Sequence, residues 1–113
     1  MHELAITQNI FDLTLEQARQ AGARRVGKIN LVIGEMTGVV SDCVRFYFGF
    51  ISRGTMAEGA TLSFVMVPPK AKCRDCNKLF KLKEFDWTCP HCGGSRLQIV
   101  AGEELFVESI EVE

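Results

Sequence analysis

The chain has 113 residues and lacks the features of several large classes of protein. No apolar run is long enough to span a bilayer. The first nine residues lack the basic and apolar segments of a secretion signal. No G-x-S-x-G, P-loop or H-E-x-x-H motif occurs. We therefore expect a cytoplasmic protein that is not an enzyme and does not contact membranes.

The chain also has little net charge, because 13 basic residues stand against 14 acidic ones. A balance of −1 argues against a chain that binds nucleic acid through overall positive charge. The length fits one domain, or one domain with a small module, and is too short for a deep cleft between domains. Hydrophobic residues make up 47% of the chain, which is enough to form a core.

The hydrophobic pattern predicts an α/β body that is interrupted by a small cysteine-rich module. The body comprises residues 1–69 and 97–113, and the module comprises residues 70–96. Glu108 falls on the same face of the last strand as Ile110 and Val112, which indicates a β-bulge or a half-exposed edge. The predicted elements are a helix over 3–21, a strand over 25–33, a helix over 41–52 with Ser41 as its N-cap, a strand over 61–67, and two strands over 97–100 and 105–112 that could form a hairpin.

Apolar stripes on both helices, two adjoining ones on the first and one on the second, are predicted to face the core. In the first helix they contain Ile6, Ile10 and Leu13 beside Phe11, Leu15 and Ala18. In the second helix the predicted stripe contains Cys43, Phe46, Tyr47, Phe50 and Ile51. Cys43 is therefore predicted to be a small buried residue, with a reactive thiol as the alternative.

Four of the five cysteines form two C-x-x-C pairs, Cys73 with Cys76 and Cys89 with Cys92, separated by twelve residues. Each pair presents two thiolates on one tight turn, and two facing turns supply a tetrahedron of sulfur, which suits Zn²⁺. A closed four-sulfur site leaves no position for substrate, so this zinc would be structural. Iron in a rubredoxin-like site and a thiol redox pair are the alternatives.

The remaining residues of the module add little chemistry of their own. His91 lies inside the second C-x-x-C pair and is predicted to be an exposed neighbour rather than a ligand. Phe85 and Trp87 are predicted to pack beside the zinc site, although they could stack on bases. Seven basic and three acidic residues give the module a charge of +4, or about +2 with zinc and four thiolates. This charge suits a solvated face or an acidic protein partner, and a zinc ribbon that binds protein or nucleic acid is the alternative function.

The N-terminus offers a second set of metal donors. The Met1 amine, the His2 backbone nitrogen and the His2 imidazole can form two fused chelate rings, and Glu3 could complete the set through its backbone nitrogen or carboxylate. Deprotonated amides are accessible to Ni²⁺ or Cu²⁺, which favour square-planar nitrogen ligation. A site without a surrounding cage would bind and release its metal readily, which suits delivery rather than catalysis.

These features together resemble the HypA/HybF family of hydrogenase nickel-insertion accessory proteins. The resemblance rests on Met-His-Glu-Leu at residues 1–4, the paired C-x-x-C insert and Glu-Ser-Ile-Glu-Val at residues 108–112. Further matches lie at residues 31–35 and 54–59, so the resemblance covers essentially the whole chain.

The resemblance implies Ni(II) at Met1, His2 and Glu3, and Zn(II) at the four paired cysteines. It implies an α+β fold in which two helices pack on a small mixed sheet and the zinc module is inserted between strands. It also implies three kinds of partner: a nickel-handling GTPase, the large-subunit precursor of a [NiFe]-hydrogenase and, in some organisms, urease maturation proteins. The oligomeric state is open between monomer and homodimer.

Overall fold

The computed structural model of the chain describes residues 2–83 and 86–113, and shows two helices and two small sheets. Its long axis measures 55 Å and its radius of gyration is 17.7 Å, against about 13 Å for a compact domain of this length. The elements are α1 (Glu3–Gln20), β1 (Val26–Gly34), a 3-10 turn (Glu35–Thr37), α2 (Ser41–Ile51), β2 (Thr61–Val67), β3 (Lys70–Cys73), β4 (Leu79–Lys81), β5 (Leu97–Ala101) and β6 (Leu105–Val112).

The first sheet has the order β2-β1-β6 and is mixed. Strand β1 runs parallel to β2 and antiparallel to β6. Alternate β1 residues, Ile29, Leu31 and Ile33, are almost completely buried in the core that both helices share. The predicted α+β class, with two helices on a small mixed sheet, is confirmed.

Strand β6 contains the predicted bulge. Asn30 pairs with Ser109 and the next β1 residue, Leu31, pairs with Val107, so Glu108 is the extra residue between them. The extra residue allows Val107 and Ile110 both to pack against the core although they are three positions apart.

Helix α1 begins at the predicted residue, ends one residue earlier than predicted and buries most of the predicted face. Ile10, Phe11 and Ala18 are buried, whereas Leu13 is 46% exposed, contrary to the prediction. The Phe11 ring meets the Phe48 ring of α2 edge to face, with 6.1 Å between centroids. This aromatic contact holds the two helices together over the sheet.

Helix α2 presents a different face from the one predicted. Val44 and Phe48 are buried, while Phe46 and Phe50 are 71% and 62% exposed and Cys43 is exposed. Val40, not Ser41, is the N-cap residue. The prediction that Cys43 is buried is wrong because α2 is apolar around most of its circumference, and the contact with Phe11 selects the Phe48 side.

The second sheet has the order β4-β3-β5, and both pairings are antiparallel. The predicted hairpin of the last two strands is therefore wrong, because β5 pairs with β3 whereas β6 pairs with β1. The pairing of β5 favours a module boundary after Ala101 rather than after Arg96. The division into a body and an inserted module otherwise stays a prediction.

A close backbone contact joins the two sheets. The N–H of Gly34 donates to the Glu104 carbonyl at 2.6 Å, and the N–H of Met36 donates to the Gly102 carbonyl at 2.8 Å. These bonds connect the end of β1 and the 3-10 turn to the segment between β5 and β6. The second sheet is therefore attached to the first by hydrogen bonds as well as by the chain itself.

Candidate metal centres

The structure brings the four paired cysteines together, although they lie in two separate segments. Every sulfur lies within 4.8 Å of the others. Cys73 Sγ is 3.5 Å from Cys92 Sγ, and Cys76 Sγ is 3.6 Å from Cys89 Sγ. Four sulfurs at 2.3 Å from a tetrahedral zinc are separated from one another by about 3.8 Å. The sulfur positions therefore fit zinc, while the identity of the metal stays a prediction.

Backbone turns hold each C-x-x-C pair in place. The N–H of Asn77 donates to the Cys73 carbonyl, and Asn77 adopts a φ of +61°. The N–H of Gly93 donates in the same way to the Cys89 carbonyl, with a φ of +74° at Gly93. The residue that ends each of these turns has a left-handed backbone conformation, which directs the chain back toward the sheet. Asparagine and glycine adopt this conformation at low cost.

The surroundings of the Cys89 and Cys92 thiols shift their pKa values in opposite directions. Burial raises the pKa of the Cys89 thiol, but N–H donors from Cys92 and His91 outweigh it and lower the value to about 7. At Cys92 the Gly94 N–H lowers the pKa, but the Cys73 thiol and burial outweigh it and raise the value to about 12. Crowded thiols cannot all ionise without a cation among them. A divalent metal would remove this obstacle, because its charge stabilises all four thiolates.

A backbone N–H contacts one of the sulfurs, and an ion pair lies beside the cluster. The N–H of His91 points to Cys89 Sγ at 3.4 Å, which is the contact that this residue makes with the cluster. Arg96 Nε donates to Asp75 Oδ1 at 2.9 Å and links the first pair of cysteines to the start of β5. Trp87 is 52% exposed, and its packing beside the zinc site stays a prediction, while Phe85 lies outside the described residues.

Two of the predicted nickel-binding residues, His2 and Glu3, lie at the start of α1. His2 is the N-cap residue and is exposed, and its carbonyl accepts the N–H of Ile6. The intrahelical hydrogen bonds therefore begin at Ile6, so the backbone nitrogens of His2 and Glu3 are not needed to maintain the helix. The predicted ligand Met1 lies outside the described residues.

The Glu3 carboxylate makes a contact that the sequence did not reveal. Glu3 Oε2 accepts the N–H of Val40 at 3.3 Å, which joins the start of α1 to the start of α2. Donors from its own N–H and from Val40 lower the pKa of Glu3. Because the partner is a backbone N–H, no side-chain pattern could have predicted this contact.

An apolar groove adjoins these donors. Its walls come from both helices, and it is lined by His2, Glu3, Leu4, Ala5, Gln8, Phe46, Tyr47, Phe50 and Ile51. The exposed phenylalanines of α2 are therefore part of the surface around His2. Phe46 and Phe50 lie in this groove because α2 buries the face that contains Val44 and Phe48 instead of the predicted face.

A comparison with known sequences identifies the family. A family model described as “Hydrogenase/urease nickel incorporation, metallochaperone, hypA” matches residues 1–112. The chain belongs to the HypA family. Its relatives include the hydrogenase maturation factor HypA of Caldanaerobacter subterraneus subsp. tengcongensis, which is 43% identical with full coverage of both chains. The HypA of Dehalococcoides mccartyi strain CBDB1 is 44% identical over all of this chain and 95% of its own.

Solved structures agree with the fold. A solution structure of a HypA protein superimposes with a TM-score of 0.77 at 23% identity and covers all of this chain and 97% of its own. The solution structure of the nickel metallochaperone HypA from Helicobacter pylori has a TM-score of 0.68 at 23% identity, with coverage of 99% and 97%. The family model and the relatives above 40% identity confirm the predicted resemblance to the HypA/HybF family, which consists of metallochaperones that act in maturation. No helix in residues 2–83 and 86–113 is long and apolar enough to cross a membrane.

Proposed function

We propose that the protein is a cytoplasmic nickel metallochaperone that carries Ni(II) on Met1, His2 and Glu3 and delivers it for maturation of a [NiFe]-hydrogenase. The observation that carries the proposal is the contrast between two donor sets in a HypA-family chain. One is a closed cluster of four sulfurs, and the other is an N-terminal set of nitrogens and a carboxylate in which His2 is exposed. The closed set suits a resident structural Zn(II), and the open set suits a metal in transit.

The chemistry of the N-terminus suits a divalent cargo such as Ni²⁺. Binding through the His2 backbone nitrogen removes one amide proton, and an anionic donor from Glu3 makes the Ni²⁺ complex neutral. A neutral complex avoids placing net positive charge at the N-terminus of α1, where the helix dipole disfavours a cation. Because His2 is exposed and Glu3 is only partly buried, an acceptor protein can reach the metal and exchange ligands with it one at a time.

The proposed partners are those that the resemblance to the HypA/HybF family implies. We propose a nickel-handling GTPase as the protein that works beside it and the hydrogenase large-subunit precursor as the destination, with urease maturation proteins as further partners. The protein binds and releases metal and makes no covalent change in a substrate, so it is not an enzyme. The proposal includes no membrane and no nucleic acid.

Replacing His2 tests the proposed nickel site. We expect His2→Ala, in protein with a native N-terminus, to weaken Ni(II) binding by more than about 100-fold, because it removes the imidazole that closes the chelate. One extra glycine before Met1 should have a similar effect, since it moves the terminal amine. Native mass spectrometry with added Ni(II) measures the loss, and the zinc content should stay at one per chain.

The control is the second histidine of the chain. His91→Ala should leave the nickel affinity unchanged, because His91 lies in the cysteine module. Normal nickel binding by both His2→Ala and the extended chain would show that the metal is held elsewhere.

Two substitutions at Glu3 separate its carboxylate from its backbone nitrogen. We expect Glu3→Gln to keep nickel affinity within about fivefold, because the amide oxygen can still accept the Val40 N–H and the backbone nitrogen is unchanged. Glu3→Ala should weaken binding further, because it frees the start of α1 from α2. Isothermal titration with Ni(II) distinguishes these cases, and an equally large loss in both variants would identify the carboxylate itself as a ligand.

A further inference from the structure

Lysines line one face of the second sheet. Lys70 on β3 pairs directly with Lys81 on β4, and Lys72 lies two positions along β3 on the same face. Lys81 and Lys83 in turn line a cleft between the sheet and the 3-10 turn of the body. We call Lys70, Lys72, Lys81 and Lys83 the lysine face.

The charges on this face are not balanced within the described chain. Like charges directly opposite each other in a sheet are destabilising, yet no ion pair involves any of the four lysines among residues 2–83 and 86–113. The carboxylate of Asp86 accepts the N–H and the hydroxyl of Thr88, and these donors, with a smaller contribution from the charge of Lys83, lower its pKa, so Asp86 offsets part of the positive charge. Among the described residues, Glu35 is the acidic one that lines the cleft, on its body side. In the part of the chain that the structure describes, four lysines stand against Asp86 and Glu35, so the lysine face carries an excess of positive charge.

The cleft adds an apolar surface to this charge. Trp87, Leu82 and Met36 contribute to its walls, together with Pro68 and Pro69. Trp87 is 52% exposed although it is a large aromatic residue. An exposed tryptophan with a polar, charged rim is the composition that recurs at the centre of protein–protein interfaces.

We propose that the lysine face and its cleft form a docking site for an acidic segment of a partner protein that carries one apolar anchor residue. The glutamates or aspartates of the segment would pair with the four lysines, and the apolar side chain would pack on Trp87. The site lies outside the proposed nickel donors and does not depend on them.

The distribution of charge favours a short acidic peptide over nucleic acid. The module has seven basic and three acidic residues, but the rest of the chain has six basic and eleven acidic ones. An extended polyanion would therefore meet an acidic body beyond the module, whereas a short segment needs the lysine face alone. The lysines also lack the planar fork with which arginine recognises phosphate.

The single tryptophan provides a direct test. We would titrate the zinc-loaded protein with a synthetic peptide in which glutamates flank one leucine and follow Trp87 fluorescence. We expect a saturable blue shift that weakens as salt increases. The double variant Lys81→Gln/Lys83→Gln should weaken binding about tenfold at low salt, because it removes two exposed charges.

Two controls make the result specific. The variant Lys28→Gln/Lys78→Gln removes the same net charge, but neither residue lines the cleft or belongs to the lysine face, so its affinity should match the unmodified protein. A peptide with glutamine in place of glutamate should not bind. Equal binding of that neutral peptide, no response to the acidic one, or tighter binding of a single-stranded DNA oligonucleotide would each overturn the proposal.

Discussion

Cys73→Ser is expected to release the bound metal and to abolish the second sheet while the body stays folded. The buried hydrophobic residues of this module, in the part that the structure describes, are Ala71, Cys73 and Cys89. Leu79, Trp87 and Val100 are all at least 46% exposed. So small a core cannot offset the entropy of ordering the module, whereas a structural zinc contributes on the order of 10 kcal/mol to folding. Loss of one ligand should therefore unfold the module.

Zinc analysis combined with amide hydrogen exchange measures this effect. In the unmodified protein, amides of β3, β4 and β5 should be protected, and in Cys73→Ser that protection should disappear while β1 remains protected. Removal of zinc by a strong chelator should reproduce the result without any mutation. Acid should act in the same direction, because protons compete with the metal for thiolates.

The fifth cysteine is the matched control. Cys43→Ser makes the same chemical change at an exposed position of α2 outside the sulfur cluster. It should keep the full zinc content and the protection pattern of the unmodified protein. Protected module amides in metal-free Cys73→Ser protein would mean that the sheet is stable without its metal.

The sequence predicted best the elements that are determined by residues close together in the chain. The strand over 61–67 has the predicted bounds, since Pro68 and Pro69 end it. The grouping of the four cysteines was likewise predictable, because the spacing within each pair and the number of ligands reflect the chemistry of one metal.

The features that the sequence did not predict depend on distant contacts. Helix α2 has apolar residues on several faces, and the choice between Cys43 and Phe48 depends on where Phe11 lies. The partner of β5 is likewise decided by β3 and not by the neighbouring β6. A pattern of hydrophobicity describes each element by itself and does not specify which elements meet.

Gly34→Ala is expected to destabilise the protein at the contact between the two sheets. A Cβ at residue 34 would lie 2.5 Å from the Glu103 nitrogen and closer still to the Gly102 carbonyl. These are backbone atoms that cannot rotate away. The φ of Gly34 is −74°, which alanine adopts easily, so the effect is steric and not conformational. We expect a loss of about 3 kcal/mol in the free energy of unfolding, measured by urea denaturation.

Two further glycines show whether that loss arises at the contact itself. Gly49→Ala lies within α2, where an added Cβ meets nothing within 4 Å, so it should stabilise the protein by up to about 1 kcal/mol.

Gly102→Ala should be severe for two reasons, because its φ is +111° and its Cβ would lie 2.8 Å from Pro69 Cα. Since Gly34 and Gly102 share one contact, their double variant should lose less stability than the sum of the single losses. Fully additive losses, or a Gly34→Ala variant as stable as the unmodified protein, would mean that the segment between β5 and β6 can move away from β1 freely. The hydrogen bonds from Gly34 and Met36 would then not fix the position of the second sheet.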